Sequence, residues 1–238
     1  MIDSVEAVIL AGGEGSRLKS VVSDRPKPMA LVKGRPFMEW LLLGLRGQGV
    51  QRFVICTHYL NEIILEHFGD GSAWGVEIVY SHEPSPLGTG GAIAFAARQV
   101  KSDQLLALNG DSFCEFNLSA LMCFHQSQNA RATIQLARVE NCGRYGSVKV
   151  DANGRVEAFI EKSTAAAAGW INAGIYLIQS TAMKMVPENQ NISMEYDVLP
   201  KWVGDGLCAI QQEGTFIDIG LPETYQQAET IFPWETLL

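Results

Sequence analysis

The chain has 238 residues, 47% of them hydrophobic, and a formal net charge of −8 at pH 7. This hydrophobic content is enough for a sizeable core and excludes a disordered chain. The negative charge disfavours nucleic acids and anionic membranes as partners, since proteins that bind polyanions over a broad surface are basic. Residues 17–35 differ from the rest, with six basic residues and one acidic residue, and this local excess favours a small anionic ligand.

The five cysteines are far apart and form no C-x-x-C pair, which predicts reduced thiols in a cytoplasmic protein. The first six residues are acidic and lead directly into an apolar segment, without the basic region of a secretory signal. No apolar run approaches the roughly 20 residues that a membrane-spanning helix requires. These features predict a soluble chain with no membrane partner.

The first half of the chain alternates short apolar segments with helical patterns. Helices are predicted from Pro36, near Leu60 and after the glycine run at 88–91. Strands are predicted at residues 5–10, 52–57, 76–80 and 104–108. This alternation is typical of a doubly wound, mostly parallel sheet, and therefore of a Rossmann-like α/β fold.

After residue 130 the pattern changes to alternating apolar and polar positions. Asn153-Gly154 lies between two β-type segments and predicts a hairpin. Further strands are predicted at 171–178 and 216–219, a helix at 194–203 and a closing helix from Pro222. We expect a smaller mixed β part joined to the first half in one domain, 1–238, because no Pro- or Ser-rich linker separates the two.

A glycine loop follows the first strand. Gly12, Gly13 and Gly15 allow backbone N–H groups to approach phosphate oxygens, and Arg17 adds a permanently charged, planar donor. The loop matches neither the P-loop pattern nor the dinucleotide-binding pattern. The alternative is a plain tight turn between a strand and a helix.

Lys27 lies between Pro26 and Pro28, and both prolines restrict the backbone around it. A preorganised ammonium suits phosphoryl or nucleotidyl transfer, which depends mostly on positioning and charge neutralisation. The alternative is a solvated lysine in a proline turn.

Asp111 follows Asn109-Gly110 at the carboxyl end of an apolar strand, where open α/β sheets place their ligands. Asp218 is likewise an isolated acid between β-branched residues. Carboxylates in such positions can hold Mg²⁺, which takes its remaining ligands from phosphates and water. The alternative for each is a helix N-cap or a turn aspartate.

Seven motifs in this order resemble the sugar-1-phosphate nucleotidylyltransferases and their nucleotide-diphospho-sugar transferase fold. The resemblance covers residues 5 to about 230 and is closest to the D-glycero-α-D-manno-heptose 1-phosphate guanylyltransferases. The motifs are Gly12-Gly13-x-Gly15-x-Arg17-Leu18, Pro26-Lys27-Pro28, Pro86-Leu87-Gly88-Thr89-Gly90-Gly91, Asn109-Gly110-Asp111, Glu161-Lys162, Asn172-Ala173-Gly174 and Asp218-Ile219-Gly220.

The resemblance implies attack of a sugar 1-phosphate on the α-phosphorus of a nucleoside triphosphate, which forms an NDP-sugar and pyrophosphate. It implies that Arg17 contacts the β- and γ-phosphates, that Lys27 contacts the α-phosphate, and that Asp111 and Asp218 hold Mg²⁺. The nucleotide-binding residues would be Leu10, Ala11, Gly12, Gly13, Gly15, Ser16, Glu83, Gly88 and Asn109. The sugar-phosphate-binding residues would be Gly146, Glu161, Lys162 and Asn172. On this basis residues 1 to about 130 form the nucleotide half and 131 to about 230 the sugar-phosphate half.

Glu83 is the candidate for base selection. A carboxylate only accepts hydrogen bonds, so it matches the N1–H and N2–H₂ edge of guanine and favours GTP. Similar thymidylyltransferases carry glutamine at this position. The expected product is GDP-heptose, for use in polysaccharide biosynthesis.

Three alternatives remain. One is a mannose-1-phosphate guanylyltransferase, or a uridylyl- or thymidylyltransferase that acts on another sugar. A second is a nucleotide-sugar-sensing regulatory subunit, which is disfavoured because Arg17, Lys27 and Asp111 are all present. A metal-dependent glycosyltransferase would normally show a D-x-D pair, which is absent at Asp111-Ser112-Phe113. The family resemblance is also compatible with a homo-oligomer.

Overall fold

The computed structural model describes residues 5–13, 15, 17–143, 145–160 and 167–233. The strands are β1 (Val5–Leu10), β2 (Leu31–Val32), β3 (Arg35–Pro36), β4 (Arg52–Thr57), β5 (Glu77–His82), β6 (Gln104–Asn109), β7 (Ser112–Cys114), β8 (Ala132–Val139), β9 (Ser147–Val150), β10 (Val156–Ile160), β11 (Gly169–Gln179), β12 (Leu207–Gln212) and β13 (Phe216–Asp218). The α-helices are α1 (Phe37–Gly47), α2 (Asn61–Phe68), α3 (Gly88–Ala96), α4 (Leu118–Ser127), α5 (Ser180–Lys184), α6 (Leu199–Trp202) and α7 (Pro222–Ile231).

Seven strands form the central sheet, in the order β12-β8-β11-β6-β1-β4-β5. Every neighbouring pair is parallel except the two that involve β11, which runs antiparallel to both β6 and β8. Apolar clusters cover both faces: Ile9 belongs to one and its neighbour Val8 to the other. The central strands are therefore continuous apolar segments, as expected for parallel strands buried on both sides. The predicted α/β class is confirmed.

The second half of the chain extends this sheet with both parallel and antiparallel pairs, as expected for a mixed β part joined to the first half. Ala132, Ile134 and Leu136 alternate with Thr133 and Gln135. Both polar residues are fully buried, because β8 lies in the sheet between β11 and β12. The hairpin of β9 and β10 forms the smaller part, with Asn153-Gly154 in its turn.

Two sequence-derived bounds need correction. The helix expected after the glycine run already includes it, since α3 begins at Gly88. The helix expected at 194–203 consists of a π-helical turn at Met194–Val198 followed by α6. Within the described ranges, no helix combines the length and the hydropathy needed to cross a bilayer.

A buried histidine makes the free energy of unfolding depend on pH. His125 on α4 is 2% exposed, and its Nδ1 lies 2.9 Å from Thr133 Oγ1. Its Nε2 has no hydrogen-bond partner among the described residues. Burial lowers the pKa of His125 from 6.5 to about 4, because the imidazolium would lose its hydration.

The unfolded chain therefore binds a proton at this histidine before the folded chain does. The resulting loss of stability begins as the pH falls below about 6.5, continues to about pH 4 and reaches about 3 kcal/mol. We expect His125→Phe to flatten the pH dependence of urea unfolding over this interval. His82→Gln, at an exposed position, is the control. An unchanged slope in His125→Phe would contradict the prediction.

Candidate active site

The glycine loop opens a cleft at the carboxyl edge of the sheet. The cleft has a volume of about 450 Å³, and residues from several strand ends and loops meet in it. The predicted residues that line it are Leu10, Gly12, Gly13, Gly15, Arg17, Lys27, Glu83, Gly88, Asn109 and Asp111. Ala11 instead packs into the core, with its backbone N–H bonded to Cys56 O at 3.0 Å. Ser16 lies outside the described residues.

Two loop glycines make room for functional side chains. A Cβ on Gly12 would lie 2.8 Å from Glu83 Oε1, and a Cβ on Gly15 would lie 2.8 Å from Lys27 Cβ. Gly15 also has a φ of +59°, a conformation that L-residues with side chains rarely adopt. Glycine at these positions therefore lets the loop lie directly against the carboxylate and the lysine.

Lys27, Asp111 and Asp218 form the charged centre of the cleft. Lys27 Nζ makes an ion pair with Asp111 Oδ2, and the lysine side chain is only 11% exposed. A Cβ on Gly220 would lie 2.7 Å from Asp218 Oδ1 and 3.0 Å from Lys27 Nζ, so both groups border the same glycine. The three predicted residues thus come together from three distant parts of the chain.

The backbone brings the two aspartates together. Asp111 lies in the turn between β6 and β7, and β7 pairs with β13 so that Ser112 is opposite Asp218. The N–H of Ile219 donates to Asp111 O at 3.1 Å. Asp218 Oδ1 accepts the N–H of Gly220 at 2.7 Å, which fixes that carboxylate. The turn-aspartate alternative is thus satisfied for Asp218 by one of its two carboxylate oxygens.

Glu83 is a buried acid at the side of the cleft. It is 5% exposed, and its Oε2 accepts the N–H of Leu87 at 3.1 Å. Burial raises the pKa of its carboxyl group, and the Leu87 N–H partly offsets this effect. Its Oε1 points towards Gly12, so one carboxylate oxygen is fixed by the protein and the other faces the glycine loop.

The glycine run at the start of α3 accommodates another segment of the chain. A Cβ on Gly88 would lie 2.6 Å from Ile192 O, and a Cβ on Gly91 would lie 2.6 Å from Gln190 O. The N–H groups of Gly90 and Gly91 both donate to Ile192 O. These two glycines of α3 therefore serve close packing, while Gly88 also lines the cleft.

A second cleft, of about 630 Å³, lies beside the β9–β10 hairpin. Gly146 and Asn172, two of the predicted sugar-phosphate-binding residues, line it. Glu161 and Lys162 lie outside the described residues, directly after Ile160, which also lines this cleft. Tyr145 and Phe216 stack edge to face nearby, with ring centroids 5.7 Å apart.

Sequence reasoning missed Asn191, Glu195 and Tyr196. Asn191 lines the first cleft, and its Nδ2 donates to Pro86 O at 3.2 Å, 105 residues away in sequence. Glu195 and Tyr196 line the second cleft. No local pattern distinguishes these residues, because their positions depend on contacts with distant parts of the chain.

A family model described as nucleotidyl transferase matches residues 6–232. The mannose-1-phosphate guanylyltransferase of Mycobacterium tuberculosis is 37% identical over 93% of this chain, which spans 62% of that protein's length. The D-glycero-α-D-manno-heptose 1-phosphate guanylyltransferase of Aneurinibacillus thermoaerophilus is 36% identical, over 94% of this chain and 97% of the relative.

Solved structures are also similar to this chain in sequence and fold. The crystal structure of HddC from Yersinia pseudotuberculosis is 34% identical and has a TM-score of 0.85, covering 95% of this chain and 99% of HddC. The same protein complexed with GMP-PN has a TM-score of 0.83. Because the family model matches nearly the whole chain, the resemblance found in the motifs is confirmed: the chain belongs to the nucleotidyl transferase family and is a nucleotidyltransferase.

Proposed function

We propose that the chain transfers a guanylyl group from GTP to a sugar 1-phosphate, forming a GDP-sugar and pyrophosphate. The observation that carries the proposal is the convergence of Arg17, Lys27, Asp111 and Glu83 in one cleft, with Asp218 beside Lys27. D-glycero-α-D-manno-heptose 1-phosphate is the proposed sugar substrate. Mannose 1-phosphate is the second candidate, because a relative that acts on it is equally similar to this chain.

The glycine loop and two cations would hold the triphosphate. Arg17, which is exposed, would bind the β- and γ-phosphates, and Lys27, which is partly buried, would bind the α-phosphate; both line the cleft. An oxygen of the sugar phosphate forms a bond to the α-phosphorus while the bond to the β-phosphate oxygen breaks and pyrophosphate leaves. The protein contributes alignment and charge neutralisation, with no covalent intermediate.

Asp111 and Asp218 fit a Mg²⁺ ion. The two carboxylates, at adjoining backbone positions, would supply hard oxygen ligands, and phosphates and water would supply the remaining ones. Among the described residues, no group of three or more His, Cys, Asp or Glu side chains could hold a metal ion. When bound, Mg²⁺ would neutralise charge on the triphosphate.

The second cleft would hold the sugar phosphate. Gly146 and Asn172, which line this cleft, would contact the sugar. By motif position, Lys162 would bind the phosphate and Glu161 the sugar hydroxyls. The chain is then one domain, 1–238, with a nucleotide half up to about residue 130 and a sugar-phosphate half from 131 to about 230. All five cysteines are free thiols, which supports a reducing, cytoplasmic location.

Glu83 would select the base. With one oxygen occupied by the Leu87 N–H, the other can accept from the guanine edge. We expect Glu83→Gln to lower kcat/KM for GTP about 10-fold and to reduce the preference for GTP over UTP, since an amide adds a donor opposite guanine donors. The measurement is kcat/KM for both nucleotides. Glu62→Gln, on the exposed side of α2, is the control. An unchanged nucleotide ratio in Glu83→Gln would contradict the assignment.

The proposed function is tested by pyrophosphate release across four nucleoside triphosphates and the 1-phosphates of the heptose, mannose and glucose. The expected outcome is fastest release with GTP and the heptose 1-phosphate. Faster release with UTP or dTTP for every sugar would overturn the guanylyltransferase assignment. Nucleotide binding without release would favour the regulatory subunit.

A further inference from the structure

A chain of hydrogen bonds joins the two clefts through Glu195. The Oε2 atom of Glu195 accepts the hydroxyl of Thr89 at 2.8 Å and that of Ser193 at 2.9 Å. Thr89 is the second residue of α3 and lines the first cleft. One oxygen of this carboxylate therefore holds the helix terminus that borders the proposed nucleotide site.

The other oxygen reaches the second cleft. Glu195 Oε1 accepts the hydroxyl of Tyr176 at 2.9 Å, and that hydroxyl oxygen accepts Asn172 Nδ2 at 2.9 Å. Asn172 Oδ1 in turn accepts the N–H of Gly174 at 2.9 Å, which fixes the orientation of the amide. The orientation of Asn172 on the proposed sugar side thus depends on Tyr176, and that of Tyr176 on Glu195.

The network requires a carboxylate at its centre. Thr89 Oγ1 accepts the N–H of Met194, and Ser193 Oγ accepts the N–H groups of Glu195 and Tyr196. Their hydroxyl protons therefore point to Glu195, as does the proton of Tyr176. Three donors converge on a group that only accepts. Burial raises the pKa of Tyr176 well above its usual value, which keeps that hydroxyl a donor.

We propose that Glu195 is a positioning residue for both substrates, because its two carboxylate oxygens hold Thr89 in the nucleotide cleft and, through Tyr176, Asn172 in the sugar-phosphate cleft. This inference rests on the proposed function of the two clefts. It predicts a specific kinetic pattern. Without the charged acceptor, Thr89 in one cleft and Asn172 in the other are no longer held in position. Arg17 and Lys27 make no contact with Glu195 and should keep their positions.

The test compares Michaelis constants of the full chain for GTP and for D-glycero-α-D-manno-heptose 1-phosphate. Glu195→Gln should raise both constants about 10-fold, the effect of about 1.4 kcal/mol in binding, while kcat changes less than 3-fold. Thr89→Val should raise mainly the constant for GTP, and Tyr176→Phe mainly that for the sugar phosphate. Glu188→Gln, an acid on the nearby surface paired with Arg98, should change neither.

If Glu195→Gln does not fold, Thr89→Val and Tyr176→Phe still test the inference through their separate effects on the two Michaelis constants. A rise only in the constant for the sugar phosphate in Glu195→Gln would make Glu195 a simple sugar contact and overturn the inference. So would unchanged constants in an active protein. A wild-type chain that releases no pyrophosphate with any substrate pair would instead refute the proposed function, and the inference with it.

Discussion

Asp111→Asn should lower kcat about a thousandfold while the protein remains folded. The substitution removes a proposed ligand of Mg²⁺ and the ion-pair partner of Lys27 in one step. Removing one group that stabilises developing charge in a transition state typically costs about 10²- to 10³-fold, and we expect the upper end because Asp111 also contacts Lys27. Asp218→Asn should cause a similar loss, since its carboxylate borders the same glycine as Lys27 Nζ.

The measurement is single-turnover pyrophosphate release at saturating GTP and sugar 1-phosphate, with increasing Mg²⁺. Thermal melting checks the fold, which should survive because the side chain of Asp111 is one-third exposed. Asp205→Asn is the matched control: it removes an exposed acid that pairs with Arg131 outside both clefts. Wild-type rates in either Asp111→Asn or Asp218→Asn would refute the metal assignment.

The bounds of a strand could be predicted from the sequence where both of its faces are buried. Val5–Leu10 and Arg52–Thr57 are apolar except at Glu6, Arg52 and Thr57, because both faces of each strand are covered, so pattern and structure agree in their bounds. The strand Ala132–Val139 alternates in sequence, yet its polar positions Thr133 and Gln135 are buried too. Thr133 is satisfied by His125, and Gln135 Nε2 by Leu136 O. A polar residue with an internal partner looks like a solvent-facing residue in a one-dimensional pattern.

The site was predictable residue by residue, but its contacts were not. Lys27 and Asp111 each stand out locally, one between prolines and the other after an apolar strand. Their ion pair spans 84 positions and depends on how the sheet places the two loops. Glu195 lies 106 positions from Thr89, in a segment whose pattern predicts a helix but no functional side chain. Motifs therefore identify the groups that carry charge, whereas the residues that orient them become visible only in three dimensions.

Lys27→Met should lower kcat/KM by about 10²- to 10³-fold, because the ammonium would neutralise charge at the α-phosphate in the transition state. Lys27→Arg keeps the charge and tests the geometry. A Cβ on Gly15 would lie 2.8 Å from Lys27 Cβ, and one on Gly220 would lie 3.0 Å from its Nζ, so the lysine is bordered closely on two sides. The larger guanidinium would have to displace the backbone at Gly15 and Gly220. We therefore expect Lys27→Arg to lower kcat/KM by at least about 10-fold.

The double variant Lys27→Met, Asp111→Asn tests whether the two residues act together as an ion pair or contribute independently. Since the two side chains contact each other, the double variant should lose much less than the product of the single losses. The assay is kcat/KM for GTP in the four proteins of this cycle, with Lys184→Met as an exposed control on α5. Near-wild-type activity in Lys27→Arg would show that charge alone matters at this position. If the loss of kcat/KM in the double variant equalled the product of the two single losses, Lys27 and Asp111 would act independently. That result would contradict the proposal that they form one charged centre in the cleft.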